Sequence, residues 1–200
     1  MSDSPFVYRI GKKRLSFFVL LGVMMAALNV ALVVQNRTLK AAASTATKSR
    51  SMVLKPGKVL PTLTGMDTAG RELKFEYGTD PRKTILLVFS PRCPYCTENM
   101  PNWKAIARGI DAKSFRVVAV STSSEGVKDY VAKHDLTNVP VIADIEPKSW
   151  VDYEMTVSPQ TVLIAPDGTA EKVWTGRIGA DERGEVEQRL GVKLPTPDHN

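Results

Sequence analysis

The chain has 200 residues, 43% of them hydrophobic and 24% charged, an ordinary globular balance that allows one sizeable core plus an extension. Its net charge of +6 is no sign of nucleic-acid binding: the first 40 residues hold six basic side chains against Asp3, which leaves +1 for the other 160, and no basic patch interleaves with aromatics. Both cysteines lie in one motif, which excludes a disulfide-stapled scaffold.

Residues 1–14 form a short polar segment carrying Arg9, Lys12, Lys13 and Arg14. Residues 15–34 are apolar apart from Ser16, Gly22 and Asn29. At about 1.5 Å per residue such a helix reaches roughly 30 Å, the thickness of a bilayer core. Four basic residues before it and Arg37 and Lys40 after it put the N-terminus in the cytoplasm and the rest outside. A single transmembrane helix that is retained is expected. A cleaved signal peptide ending near Ala41–Ala43 is the alternative, but the apolar run is long for a signal core and Arg37 and Lys40 intervene. Residues 35–52, rich in Ala, Ser, Thr and Lys, read as a flexible linker.

Residues 53–194 are expected to form one α/β domain, with 195–200 a frayed tail. It opens on a β-hairpin: Leu63 and Met66, then a turn over Asp67–Gly70, then Leu73 and Phe75 at period two. Ile85, Leu86, Leu87, Val88 and Phe89 make a β-branched, apolar run that reads as a strand buried on both faces. Ser90 and Pro91 stop it, and Cys93-Pro94-Tyr95-Cys96 follows at once. From Thr97 to Arg108 the apolar positions Met100, Trp103, Ile106 and Ala107 predict a helix.

The motif therefore sits where a strand hands over to a helix. Free N–H groups and the positive dipole end at a helix start stabilise a thiolate, so Cys93 is expected to be the attacking thiol. Pro94 suits the first helical turn, where its missing N–H is not needed. Cys96 is expected to resolve the mixed disulfide. A zinc site would need two more ligands, yet no other cysteine exists and the only histidines are His134 and His199. A structural disulfide here would close too short a loop to constrain much chain. Neither metal nor cofactor is called for.

Phe115–Ser121 reads as a second buried strand, and the polar stretch Thr122–Glu125 as the cap of a helix over Gly126–His134 with Val127, Tyr130 and Val131 on one face. His134 suits the negative end of that helix's dipole better than catalysis. A short strand at Val139–Ala143 and a short helix at Lys148–Met155, with Trp150, Val151 and Tyr153 packed on the sheet, come next. Thr161–Ala165 and Glu171–Thr175 flank a Pro166-Asp167-Gly168 turn, and Asp181–Leu190 is a closing helix. This alternation predicts a mixed sheet with helices on both faces.

From about Lys55 to Leu190 the chain resembles the thioredoxin superfamily, most closely its membrane-anchored, extracytoplasmic members of the TlpA and ResA kind. Cys93-Pro94-Tyr95-Cys96 matches the active-site motif, Pro101 the proline that kinks the active-site helix, and Pro159 the cis-proline. The resemblance implies a thioredoxin fold with an N-terminal hairpin extension and dithiol–disulfide exchange. It also implies that Ser158, before Pro159, offers its backbone to a substrate added as a strand. Pro94, Tyr95 and Arg92 would tune the site. Arg92 replaces the usual Trp, and Leu87 replaces the buried acid of many thioredoxins, so no proton acceptor for Cys96 can be named. The Ser-Pro-x-Cys-Pro-x-Cys pattern is also similar to accessory proteins of methylamine dehydrogenase maturation.

The expected function is reduction of disulfides in exported proteins, cytochrome c maturation among the settings. A membrane electron-transfer protein would be the donor, because an oxidised envelope offers no reductant in solution. Three alternatives stay open. The same site can run in reverse as a thiol oxidase or isomerase, the domain can be a tethered binding module without catalysis, or, on a weak Thr-x-x-Cys likeness, it can be a peroxidase.

Overall fold

The central feature is the strand that the apolar run builds. In the computed structural model it is β3 (Lys83–Phe89), with every side chain from Thr84 to Phe89 buried. The model describes residues 21–26, 28–32, 35 and 53–196. Burial on both faces follows from its place in a five-stranded sheet. With β4 (Phe115–Ser121), β5 (Val141–Ile142), β7 (Gln160–Ile164) and β8 (Ala170–Thr175), the order is β5-β4-β3-β7-β8. β3 pairs parallel with β4 and antiparallel with β7, so the sheet is mixed as expected.

Odd and even residues of β3 serve different cores. Ile85, Leu87 and Phe89 meet α1 (Pro94–Gly109) through Met100, Trp103 and Ile106. Leu86 and Val88 join Val118, Val120, Val162, Tyr153 and Met155 on the other face. Period-two alternation in a strand produces this division. Helix α2 (Val127–Lys133) and α4 (Ala180–Leu190) contribute Val127, Tyr130, Val186 and Leu190 to the α1 side. The short α3 (Pro147–Asp152) precedes Tyr153 of the opposite core.

The expected N-terminal hairpin is present as β1 (Leu63–Met66) and β2 (Glu72–Phe75), joined antiparallel. It does not stand alone. The stretch expected as one strand at Val139–Ala143 is two residues of β5, after which β6 (Asp144–Ile145) leaves the large sheet and pairs with β1. Gly65 makes that crossing possible. A Cβ there would lie 2.4 Å from Ile142 Cγ2 and 2.6 Å from the Asp144 carbonyl oxygen.

The helix at the motif starts at Pro94 with Cys93 as its N-cap, in keeping with the expectation that Pro94 occupies the first turn. Two further expectations are corrected. The polar stretch Thr122–Glu125 donates no side-chain cap to α2; Gly126 takes that position at φ 74°, a left-handed conformation that glycine adopts without Cβ strain. Val151 is 57% exposed rather than packed on the sheet, whereas Tyr153 is buried.

The chain divides into two units, Met1–Ser51 and Met52–Asn200. In the first, residues 21–26 and 28–32 are helical with exposed side chains, and Asn29 Nδ2 donates to the Met25 carbonyl at 2.8 Å. Among the described residues no helix is long and apolar enough to cross a membrane. Much of the expected span over 15–34, the basic segment 1–14, and the linker beyond Gln35 lie outside the described residues, as do residues 197–200 of the tail.

Candidate functional site

Phe89 ends β3 with its carbonyl taken by Thr122 N–H at 2.7 Å, which fixes where the chain leaves the sheet. A tight turn follows, closed by Cys93 N–H to the Ser90 carbonyl at 3.1 Å. Cys93 is then the N-cap of α1, in extended backbone conformation, and Pro94 enters the first turn. The Cys93 carbonyl accepts from Cys96 N–H at 3.1 Å and Thr97 N–H at 3.3 Å, so both cysteines belong to one helical turn.

The two thiols face different surroundings. Cys93 is half-buried and Cys96 fully buried, and neither is in a disulfide. Burial pushes the Cys96 thiol up to about 12, and a hydrogen bond that the protonated Cys96 donates toward Cys93 adds to the effect. Leu87, where a carboxylate would have served, is an apolar member of the core that also holds Cys96.

Ser158 and Pro159, 65 residues along the chain from Cys93, complete the site. The Cys93 thiol donates to the Ser158 carbonyl at 3.5 Å. The Ser158–Pro159 bond is cis, as expected. Pro159 is buried, and its own carbonyl is occupied by Gly176 N–H at 2.8 Å. The Ser158 carbonyl is thus turned to the sulfur, while the Pro159 carbonyl is tied into the loop after β8.

Of the three expected modulators, Pro94 lies in the first turn of α1, Tyr95 is 62% exposed on the rim, and Arg92 is drawn away into an ion pair with Glu125. Both partners of that pair are largely exposed, so its stabilising effect is small. His134 takes the C-cap of α2, at the helix end where the sequence reading places it. Burial, then Lys133 and Lys104, push its imidazole below the usual value.

Three groups escaped the sequence reading. Asn99 and Asn102 are buried on α1 and fasten it to the chain before α4: Asn99 Oδ1 accepts from Ile178 N–H at 3.0 Å, and Asn102 Nδ2 donates to the Ile178 carbonyl at 3.2 Å. Their i, i+3 spacing on a helix face was the available signal. Trp103 Nε1 donates to Thr161 Oγ1 at 2.8 Å and ties α1 to β7, both groups being buried. Tyr130, expected only as part of an apolar face, stacks on Phe89 with ring centroids 5.2 Å apart, and its hydroxyl is buried without a hydrogen-bond partner among the described residues.

A family model described as the AhpC/TSA family matches residues 56–173. The chain is similar to methylamine utilization protein MauD of Methylorubrum extorquens, 31% identical over 88 residues, 44% of this chain and 40% of that protein. It is also similar to sporulation thiol-disulfide oxidoreductase A of Bacillus subtilis, 24% identical over 106 residues, 50% of this chain and 64% of that protein. The chain spans about half the length of the curated relatives it matches. Among solved structures, the thioredoxin domain of a thiol-disulfide oxidoreductase from Bacteroides vulgatus superposes with a TM-score of 0.54 at 19% identity, over 68% of this chain and 99% of that one. That likeness establishes a thioredoxin-like fold.

Proposed function

The chain belongs to the AhpC/TSA family, and on that premise we propose that it is a thiol–disulfide oxidoreductase that reduces disulfides in exported proteins. One observation carries this: a half-buried thiol at a helix mouth rests on the Ser158 carbonyl, with a second thiol sealed one turn behind it. Cys93, as thiolate, attacks one sulfur of a client disulfide. A Cys93–client bond forms, and the other client sulfur leaves and takes up a proton. Cys96 then attacks Cys93, the client is released reduced, and the protein holds the Cys93–Cys96 disulfide. Ser158 offers its backbone to the client chain at the sheet end.

The exported setting rests on the sequence: the apolar run 15–34 behind four basic residues favours a single-pass anchor in the cytoplasmic membrane, with the domain outside. A membrane electron-transfer protein would recharge the dithiol there. Apocytochrome c cysteines are among the clients this setting admits.

The experiment is trapping. A Cys96→Ser variant of the full chain should retain clients as mixed disulfides on Cys93, to be identified by mass spectrometry. No trapped client, together with no disulfide reduction by the unaltered chain, would abandon the proposal. Full biological activity of Cys93→Ser would leave a binding module instead. A Cys93–Cys96 potential well above about −200 mV would reverse the flow and make the chain a thiol oxidase or isomerase.

A further inference from the structure

The resolving step has an unsolved difficulty. Cys96 must lose its proton before its sulfur can attack, yet it is fully buried, and Leu87 supplies no base. Resting on the function proposed above, we propose that the Tyr130 hydroxyl is the hydrogen-bond donor that receives the Cys96 sulfur as it ionises.

Several observations converge on this oxygen. Tyr130 shares one buried cluster with Phe89, Cys96 and the partly buried Cys93. Its ring is held by Phe89 on one side, at 5.2 Å and 14° between planes, and by His134 at 4.4 Å, so the hydroxyl is positioned rather than free. The oxygen is buried with no hydrogen-bond partner among the described residues. A buried hydroxyl without a partner is costly, and a site that ionises in the reaction cycle gives it a purpose.

The titratable groups around Tyr130 are Cys93 and Cys96 from α1 and its entry, whose charges act on the phenol, and His134 from the end of its own helix, whose ring lies against the tyrosine ring. Thr97 on α1 is the neighbouring side chain that can hydrogen-bond to it. Burial holds the phenol above its usual pKa, and the charges of both thiols reach it and push the same way. Tyr130 therefore keeps its proton while Cys96 gives one up, which makes it a donor and not a base. The step balances without it: the Cys96–Cys93 bond forms, the Cys93–client bond breaks, and the departing client sulfur takes the proton that Cys96 released. The cysteine pair loses two electrons and the client gains them.

The test is Tyr130→Phe in the full chain, which keeps the ring stack and removes only an unpartnered oxygen. Reduced protein is mixed with a fluorescent glutathione disulfide and followed through a single turnover across pH. The first phase, attack by Cys93, should stay within about twofold. The second phase, release by Cys96, should slow roughly tenfold, and its pH profile should move upward, since a lost hydrogen bond to a charged group is worth about that much. A second measurement follows Cys96 alone: in Cys93→Ser, thiolate absorbance should titrate at higher pH once Tyr130→Phe is added. An unchanged second phase, or an unshifted Cys96 titration, overturns the role of Tyr130 while leaving the oxidoreductase standing. If the unaltered chain shows no first phase at all, the oxidoreductase proposal falls, and this inference with it.

Discussion

The sulfur of Cys93 lies 3.5 Å from the carbonyl oxygen of Ser158, whereas Cys96, in the same helical turn, is fully buried. The two thiols should therefore differ sharply toward a small electrophile. With its thiol pushed up to about 12, Cys96 stays protonated at pH 8. Iodoacetamide added to the reduced protein should label Cys93 alone, with Cys96 labelled only after denaturation. Peptide mapping checks this, and comparable labelling of both would contradict the asymmetry.

The same buried thiol links stability to pH. The native state keeps the Cys96 proton in a range where the unfolded chain has lost it. The associated stability is whole below the ordinary thiol value of 9.0 and declines as pH rises toward 12. Denaturant melts of the reduced protein from pH 8 to 11 should lose stability faster than melts of Cys96→Ser, whose hydroxyl does not titrate. The excess slope should approach roughly 1.4 kcal/mol per pH unit at most. Parallel slopes would mean that the thiol is not raised.

Trp103 and Thr161 bind the cysteine-bearing helix to β7 across 2.8 Å. Thr161→Val keeps the shape and strands the indole N–H in a buried place. A loss of about 1–3 kcal/mol in urea unfolding is expected. A loss below a few tenths would show that the indole finds another acceptor.

Gly65→Ala should destabilise by about 1–3 kcal/mol, because the new methyl meets both Ile142 and the Asp144 backbone. The damage should fall on the β1–β6 pairing. Amide exchange at β1 and β6 is expected to quicken more than exchange in β3, and a uniform change across both sheets would argue against a local clash.

Much of this molecule is legible in a single sequence because its strongest signals are local. The run from Ile85 to Phe89 and the helical spacing of Met100, Trp103 and Ile106 place the cysteines without any tertiary knowledge. The departure of Asp144 and Ile145 to another sheet could not be foreseen, since it depends on how closely Gly65 lets two backbones approach. His134 was legible as a helix-end residue, but the burial and the two lysines that push its imidazole down are not written in the local pattern. Tyr130 was visible as an apolar-face residue, but that its oxygen lacks a partner is a property of the packed core. The expectations for residues 1–20 and 36–52 fall outside what the structure describes.

Sheet order has a consequence for biosynthesis. β3, which delivers the cysteines, is flanked on one side by β4 and on the other by β7, made much later in translation. A ribosome-bound fragment ending before Ser158 would carry both sulfurs but not the wall on which Cys93 rests. Cys93 is thus the sulfur that lacks its wall until the last fifth of the polypeptide docks.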